Sequence, residues 1–352
     1  MSKKFLQILK YLILLLLAGV LMLFAFRGQD IGEMWEAIKK ANFLWIALAL
    51  IISLISHWAR GIRWVLLIKP LGYSPSNANA VAAVFIGYLA NLAFPRMGEV
   101  TRCASLRKAD KIPVESLLGT VVAERALDVF CLGIVLLLTI LFQAELIFDF
   151  LKLYLFNPIT QKVEGNSGIL LFVLIMAVSL LFTLYYIFKK YKEMILANKI
   201  AGKITNLFNG IKNGVLTIFK LEKPALFLFH TFLIWGGYFL STWLFFYSIE
   251  ATSHLGPSIA LFALVLSSLG MAAPVQGGIG AVHYMVSQGL LLFGISLNEG
   301  LIYATILHSS QTLLVLIMGA ISLLYLLKVT SNTASIEDVF TPDNIIASDE
   351  KS

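Results

Sequence analysis

The sequence predicts an all-α fold, a polytopic membrane helix bundle with about seven to eight spans and two oppositely oriented re-entrant helical hairpins. Of its 352 residues, 59% are hydrophobic and 13% are charged, and the mean hydropathy is +0.86. Several apolar runs reach the roughly 20 residues that cross a bilayer as a helix. Two further apolar runs are shorter, and each stops at a proline.

Basic residues predict the orientation of the spans, because Lys and Arg accumulate in short cytoplasmic loops. Lys3 and Lys4 place the N-terminus in the cytoplasm, and the first span, at about 11–26, is interpreted as a signal anchor. The later spans are predicted at about 43–68, 117–142, 168–188, 225–249 and 300–327. The last of them places the C-terminus in the cytoplasm as well.

The loop between the fourth and fifth spans carries eight lysines. Its 195–219 portion has apolar residues at helical spacing, which fits an amphipathic helix on the inner leaflet or an ordinary solvated connector. The net charge of +7 is concentrated in such loops. It therefore indicates topology and contact with anionic headgroups, and we expect no nucleic-acid partner.

The chain is expected to form one transmembrane domain over residues 1–328, followed by a disordered, acidic cytoplasmic tail at 329–352. The two cysteines, Cys103 and Cys131, provide neither a disulfide framework nor a metal-ligand spacing. We therefore expect no metal and no cofactor. Nothing in the sequence decides whether the chain forms a homo-oligomer.

The first short apolar run, 78–94, ends at Pro95. If this run crossed the membrane, the loop that holds Arg107, Lys108 and Lys111 would lie outside, against the usual distribution of basic residues. A re-entrant hairpin at about 78–115 removes the conflict, since a broken helix is tolerated where protein or a water-filled cavity surrounds it.

The second short run, 258–273, ends at Pro274 and continues through a glycine-rich turn into another apolar leg, so that a hairpin is predicted at about 258–297. The order of the loops places its base on the side opposite to the first hairpin. Interrupted segments in both halves, facing opposite ways, indicate an inverted-repeat transporter with its substrate site where the breaks meet.

Three ionisable residues, Glu124, Arg125 and Asp128, lie about two turns into the span that follows the first hairpin. Charged groups at this depth are costly, and they are usually paired or functional. Glu124 and Asp128 share a helix face, and Arg125 can pair with Asp128 at i, i+3. They form either a substrate site or an ion-pair clamp that holds the bundle together.

Around the first break, Arg96, Glu99 and Arg102 repeat at every third position, and Asn91 lies just before it. A helix that begins here would offer free N–H groups to a phosphate. Guanidinium groups bind phosphate bidentately and stay charged, so we expect Arg96, Arg102 and Arg125 to bind a headgroup.

Two further arginines, Arg60 and Arg63, share a face of the second span and have tryptophans beside them. We interpret them either as interfacial anchors, which are common in membrane proteins, or as further headgroup ligands.

The second break is uncharged and contains Gln276, Gly277 and Gly278 as candidate site residues. Glycines here allow a positive φ and a close backbone approach to a ligand, although helix packing would also use them. His283 and His308 are either packing residues or part of a proton relay.

Three segments carry a family resemblance: Asn-Leu-Ala-Phe-Pro-Arg-Met-Gly-Glu-Val-Thr-Arg at 91–102, Glu-Arg-Ala-Leu-Asp at 124–128, and Pro-Val-Gln-Gly-Gly-Ile-Gly at 274–280. Over about residues 5–328 the chain resembles the transmembrane domain of lysylphosphatidylglycerol synthases, the UPF0104 or flippase-like family. The resemblance implies a bundle with two re-entrant hairpins that moves modified anionic lipids between leaflets. It also implies that the three segments supply the site residues.

The chain departs from many relatives of that family at two places. It has Val275 and Gln276 after the proline, and His283 where relatives have an acid. It also has no synthase domain, so we do not expect it to aminoacylate lipids.

The function expected from the sequence is a lipid translocase in the cytoplasmic (inner) membrane, with a phospholipid or lipid-linked headgroup as its partner and without enzymatic activity. The alternatives are a membrane-embedded transferase acting on a lipid-linked substrate, with Glu99 or Asp128 as general base, and an accessory subunit of an envelope-lipid enzyme.

Overall fold

The computed structural model describes residues 31–144 and 221–330, with a few isolated positions between 16 and 28. Every regular element in these ranges is a helix, as the sequence predicts. Four predicted features lie wholly or almost wholly outside the described residues: the spans at 11–26 and 168–188, the segment 195–219 and the tail.

The described helices follow one another through short connections. In chain order they are α1 (Ile31–Lys39), α2 (Phe43–Ile68), α3 (Asn77–Ala93), α4 (Gly98–Asp110), α5 (Val114–Phe142), α6 (Pro224–Phe246), α7 (Pro257–Ala272), α8 (Ala281–Leu290) and α9 (Leu297–Val329). Helices α2, α5, α6 and α9 are long and apolar enough to cross a bilayer. They agree with the four spans predicted in these ranges.

Helix α1 lies in a loop for which the sequence analysis predicts no helix. Its Met34 is buried in a core cluster together with Tyr303 of α9. Ala37 and Ile38 pack against the same cluster, so these apolar side chains hold the helix against the bundle, while Trp35 and most of its polar residues stay exposed.

Helices α3 and α4 form an antiparallel hairpin, which we call hairpin one. At its base, the Asn79 amide donates to Asp110 Oδ1 at 2.9 Å. At its tip, the Gly98 N–H donates to Asn91 Oδ1 at 2.7 Å. The break between the legs contains Pro95, which cannot donate a backbone hydrogen bond, so α3 ends before it. The predicted break is confirmed at this position.

Helices α7 and α8 form a second antiparallel hairpin, hairpin two, which turns through a short 3₁₀ segment, Gln276–Gly278. The two legs approach each other closely because each has a glycine where it faces the other, Gly270 on α7 and Gly289 on α8. A Cβ on Gly270 would lie 2.7 Å from Val282 Cα, and one on Gly289 would overlap the side chain of Leu266.

The long helix α9 contacts both hairpins. Near its N-terminal end, Gly300 packs on Ser287 of hairpin two. Near its C-terminal end, the Tyr325 hydroxyl donates to Asn79 Oδ1 at the base of hairpin one, at 3.1 Å. The bases of the two hairpins therefore lie toward opposite ends of α9.

The tips of the hairpins meet beside the middle of α9. His308 Nε2–H donates to the Gly277 carbonyl of hairpin two at 2.7 Å. A Cβ on Gly277 would lie 2.8 Å from Leu92 Cδ2, next to the tip of hairpin one, and Gly319 of α9 packs on Leu89 one turn below that tip. The two helix breaks are thus neighbours in space.

The two ends of the bundle differ in charge. The end with the base of hairpin one is basic, with Lys69, Arg107, Lys108, Lys111 and Lys328. The opposite end has more acidic than basic groups, with Glu33, Glu36, Lys39, Lys40, Glu250 and Glu299. The two ends therefore differ in charge in the same way as the predicted cytoplasmic and outer loops.

Replacing Gly98 with Leu should destabilise hairpin one, because a side chain there would overlap the Gly87 carbonyl and the Asn91 amide. Overpacking of this kind costs about 1–3 kcal/mol, and sometimes more. The matched control is Gly119→Leu, since a Cβ at Gly119 has no neighbour within 4 Å. Thermal unfolding of the purified variants in detergent measures the difference. Equal midpoints for the two variants would contradict the close packing of the legs.

Candidate functional site

A network of charged side chains joins α2, α4 and α5 in the interior of the described bundle. Four guanidinium groups face three carboxylates, which leaves one positive charge in excess. The members are Arg60, Arg63, Glu99, Arg102, Glu124, Arg125 and Asp128.

Glu124 is the centre of this network, and its side chain has no solvent exposure. One oxygen, Oε2, accepts from Arg102 of α4 at 2.8 Å. The other, Oε1, lies 3.2 Å from Arg60 and 3.5 Å from Arg63, both of α2. A single carboxylate therefore ties three helices together.

Asp128 lies one turn further along α5 and contacts the same two arginines of α2. Arg63 donates to its Oδ1 at 2.7 Å, and Arg60 Nη2 lies 2.8 Å from its Oδ2. Arg125 Nη1 is 3.9 Å from Oδ2. The predicted i, i+3 pairing of Arg125 with Asp128 is present, as the longest contact of the network.

The helix spacings explain why these groups meet. Arg60 and Arg63 are three residues apart on α2, and Glu124 and Asp128 are four apart on α5, so each pair lies on one helix face. The indole N–H of Trp64 in α2 donates to Thr120 Oγ1 in α5 at 2.8 Å, and this hydrogen bond aligns the two faces. The guanidinium of Arg102 lies over the Trp64 ring at 4.7 Å, a cation–π arrangement.

The network corrects one interpretation of the sequence. Arg60 and Arg63 are buried inside the protein, so the interpretation of these arginines as interfacial anchors is wrong. One sequence feature indicates the buried position. Arg60 and Arg63 form a second pair of charged groups at membrane depth, on a different helix from the carboxylates Glu124 and Asp128. Arg102, which the sequence predicts as a headgroup ligand, is buried and donates to Glu124. The ion-pair clamp, which was an alternative to a substrate site for Glu124, Arg125 and Asp128, therefore includes Arg102 as well.

One ion pair of the network reaches the surface of the described bundle. Arg125 Nη2 lies 2.8 Å from Glu99 Oε1, with side-chain exposures of 42% and 29%. Glu99 is the second residue of α4, so this pair lies next to the tip of hairpin one. Unlike Glu124 and Asp128, these two groups are accessible to a ligand.

Arg96 occupies the tip of hairpin one in a left-handed conformation, with φ of 66°. This conformation is uncommon for a residue with a side chain, and it costs energy that the surrounding structure must supply. The side chain is exposed and pairs with no carboxylate among the described residues. By contrast, the predicted site residue Asn91 uses its side-chain oxygen to accept from Gly98 within the tip.

The tip of hairpin two carries the other predicted site residues. Gly277 and Gly278 have φ of 55° and 75°, which confirms that the glycine turn uses positive φ. Gln276 is buried, and its Oε1 has no hydrogen-bond partner among the described atoms. The His308 ring lies 5.0 Å from the His283 ring, and His308 also holds the Gly277 carbonyl. His308 therefore positions this turn.

No group of three or more metal-ligating side chains occurs in residues 31–144 and 221–330. The site there consists of arginines, carboxylates and backbone turns.

The comparisons with known proteins agree with the fold. A family model described as "Lysylphosphatidylglycerol synthase TM region" matches residues 7–319. A UPF0104 membrane protein of Pyrococcus horikoshii is 24% identical over 305 residues, which is 81% of this chain and 88% of that protein. Another, of Methanocaldococcus jannaschii, is 28% identical over 43% of this chain and 48% of its own length.

A third relative is named a glycosyltransferase and comes from Haloferax volcanii. It is 30% identical over 105 residues, which cover 30% of this chain and 17% of that protein. No solved structure is significantly similar to the chain.

Replacing Glu124 with Gln should destabilise the bundle strongly, because Arg60, Arg63 and Arg102 would lose their shared carboxylate. Breaking a buried ion pair typically costs about 3–5 kcal/mol. The control is Glu115→Gln in the first turn of the same helix, where the exposed acid contributes at most about 1 kcal/mol through the helix dipole. Unfolding in a denaturing-detergent titration gives both values. A loss no larger for Glu124 than for Glu115 would exclude the network as a stabilising clamp.

Proposed function

The chain belongs to the family of the lysylphosphatidylglycerol synthase transmembrane region, and from that premise we propose that it is a lipid translocase. Its substrate would be an anionic or aminoacylated phospholipid or another lipid-linked headgroup with a phosphate. The protein would bind this headgroup between the hairpin tips and pass it from one leaflet to the other.

The lengths of the hairpin legs support re-entrant placement in the membrane. Helix α3 has 17 residues and α7 has 16, each about 25 Å long at 1.5 Å per residue. These lengths fall short of the roughly 30 Å hydrocarbon core. Breaks in mid-membrane require surrounding protein or water, and each tip has the other hairpin and α9 beside it.

The observation that carries the proposal is the guanidinium of Arg96, which pairs with no carboxylate among the described residues and lies where the two tips meet. A charged group at membrane depth without a partner costs several kcal/mol. A phosphate that accepts two parallel hydrogen bonds from the guanidinium would offset this cost. Arg125 and Glu99 lie beside the same tip and are partly exposed, so they can contact the rest of the headgroup.

The buried part of the network would serve as the rigid wall of this site. Glu124 and Asp128 are surrounded by guanidinium groups and hold α2, α4 and α5 in register. Glu99 has one arginine contact and can release Arg125 to a phosphate or pair with a cationic headgroup. A headgroup held here would face charges and water instead of hydrocarbon, which lowers the cost of crossing.

Alternating access would follow from the arrangement of the hairpins. Their bases lie at opposite ends of α9, so a small movement of one hairpin would open the site toward its own leaflet while the other stays closed. His308 connects α9 to the tip of hairpin two through Gly277. This hydrogen bond would transmit a shift of α9 to the site.

The basic end of the bundle would face the cytoplasm, because it carries Lys69, Arg107, Lys108, Lys111 and Lys328. Both chain termini would then lie in the cytoplasm, and the protein would be a multi-pass component of the cytoplasmic membrane.

A membrane-embedded transferase is the second candidate function, favoured by the relative that is named a glycosyltransferase. The three carboxylates of the network support it weakly, since Glu124 and Asp128 are each engaged by arginines and, of the three, only Glu99 is exposed enough to act as a base. Incubation of the purified protein with a polyprenyl-phosphate-linked radiolabelled sugar and phosphatidylglycerol distinguishes the candidates. A transferase would move the labelled sugar to the phospholipid and release polyprenyl phosphate, whereas a translocase would return both lipids unchanged.

An accessory subunit of an envelope-lipid enzyme is the third candidate. It would leave the lipid distribution between leaflets unaffected when both hairpin tips are altered.

Replacing Arg96 with Gln should reduce translocation by tenfold or more, because one charge-assisted hydrogen bond contributes about 1.5–3 kcal/mol. The assay follows fluorescently labelled phosphatidylglycerol across vesicles of phosphatidylcholine and phosphatidylglycerol that contain the purified chain. Arg107→Gln removes the same charge from α4, the helix that follows the tip, about 14 Å along α4 from Gly98. It should leave the rate nearly unchanged. Equal rates for Arg96→Gln and the parent chain would exclude Arg96 as a headgroup ligand.

The proposed orientation is tested by single cysteines at Lys108 and Glu250, introduced after Cys103 and Cys131 are replaced by Ala. A membrane-impermeant maleimide added to intact cells should label the cysteine at position 250. It should label the cysteine at position 108 only after the membrane is permeabilised. These positions lie at the opposite ends of the described bundle. Labelling of position 108 in intact cells would reverse the orientation and contradict the cytoplasmic location of the basic end.

A further inference from the structure

A groove lies between hairpin one and the C-terminal turns of α9, away from the hairpin tips. It is shallow and open to its surroundings. Its floor is apolar and its rim is polar. The floor includes Ile86, Leu323 and Leu326, and the rim includes Ser105, Lys108 and Thr330.

Two polar groups on the rim lack partners in the part of the chain that the structure describes. Ser105 is only 4% exposed, and its hydroxyl has no hydrogen-bond partner. The ammonium of Lys108 makes no ion pair there. These residues are three apart on α4, so both side chains lie on one helix face. The third polar group, the Thr330 hydroxyl, already donates to the Leu326 carbonyl.

A buried hydroxyl without a partner is destabilising unless a ligand or water accepts its hydrogen bond. An ammonium group beside it favours an acceptor with a negative charge. In the same groove, the apolar lining of Ile86, Leu323 and Leu326 favours methylene groups over water. A ligand that satisfies all three features has an anionic oxygen at one end and a hydrocarbon chain at the other.

We propose that this groove binds an anionic phospholipid, with a phosphate oxygen on the Lys108 ammonium and the Ser105 hydroxyl and an acyl chain along the apolar floor. The groove lies at the basic end of the bundle, where Lys111 and Lys328 add to the attraction for anionic headgroups. The occupant is a membrane lipid and not a soluble anion, since a soluble anion would leave the apolar floor uncovered.

This lipid site is separate from the site between the hairpin tips. Lys108 is ten residues along α4 from Gly98, a separation of about 15 Å. The binding of a lipid here does not depend on translocation, and a failure of the translocase proposal would leave it standing. A binding measurement can therefore test it without a transport assay.

The test is native mass spectrometry of the purified full-length chain, titrated with phosphatidylglycerol or phosphatidylcholine. We expect the parent chain to retain phosphatidylglycerol in preference to phosphatidylcholine. Lys108→Gln should weaken phosphatidylglycerol binding about tenfold or more, and Ser105→Ala about threefold, as expected for one charge-assisted and one neutral hydrogen bond. The control, Lys328→Gln, removes an exposed lysine at the same end and should weaken binding by less than about fivefold.

Four results would overturn the proposal. The first is equal weakening by Lys108→Gln and Lys328→Gln, which would indicate general attraction to a basic surface. The second is binding that no variant changes. The third is displacement of the lipid by inorganic phosphate at an equal concentration, which would indicate a simple anion site.

The fourth concerns another occupant, the acidic segment 331–352 that follows Thr330 in the sequence. Carbodiimide coupling of the Lys108 amine to a carboxylate of that segment, in the presence of phosphatidylglycerol, would show that the chain itself fills the groove.

Discussion

The buried ion network between α2, α4 and α5 is the interaction on which the rest of the described structure depends. Desolvation of so many charges is expensive, and it is tolerated because the partners lie at hydrogen-bonding distance and surround each carboxylate. Glu124 contacts arginines from two other helices, so the position of hairpin one is coupled to the spanning helices. A break in this network would release the leg that carries Glu99 and the neighbouring tip.

The two hairpins bring their helix breaks together beside α9. Hairpin one and hairpin two lie along α9 from opposite ends, and their tips touch where Gly277 packs on Leu92. Glycines permit this contact, because left-handed backbone and close packing leave no room for a Cβ. The same junction leaves Arg96 without a carboxylate among the described residues. Different arginines therefore serve the stability of the bundle and the proposed function. The buried arginines hold the helices together, and the exposed arginines are available to a ligand.

The sequence was sufficient for the fold class, the four spans in the described ranges and both helix breaks, because proline, glycine and apolar run length act locally. The sequence did not predict which charged groups on different helices pair with each other. Arg60 and Arg63 resemble interfacial anchors until the register of α2 against α5 is known, and that register depends on contacts such as Trp64 with Thr120. Likewise, Asn91 carries a ligand-like side chain, but the turn of hairpin one uses its oxygen internally. Pair spacing within one helix, as for Arg125 and Asp128, could be predicted.

The account is tested most directly by determining which lipid co-purifies with the chain in a bilayer disc and where its phosphate lies in a high-resolution density map. The account predicts phosphate density within hydrogen-bonding distance of the Arg96 guanidinium, beside the middle of α9. Density for lipid phosphates only at the two ends of the bundle, with the hairpin tips apart and no space beside Arg96, would contradict it.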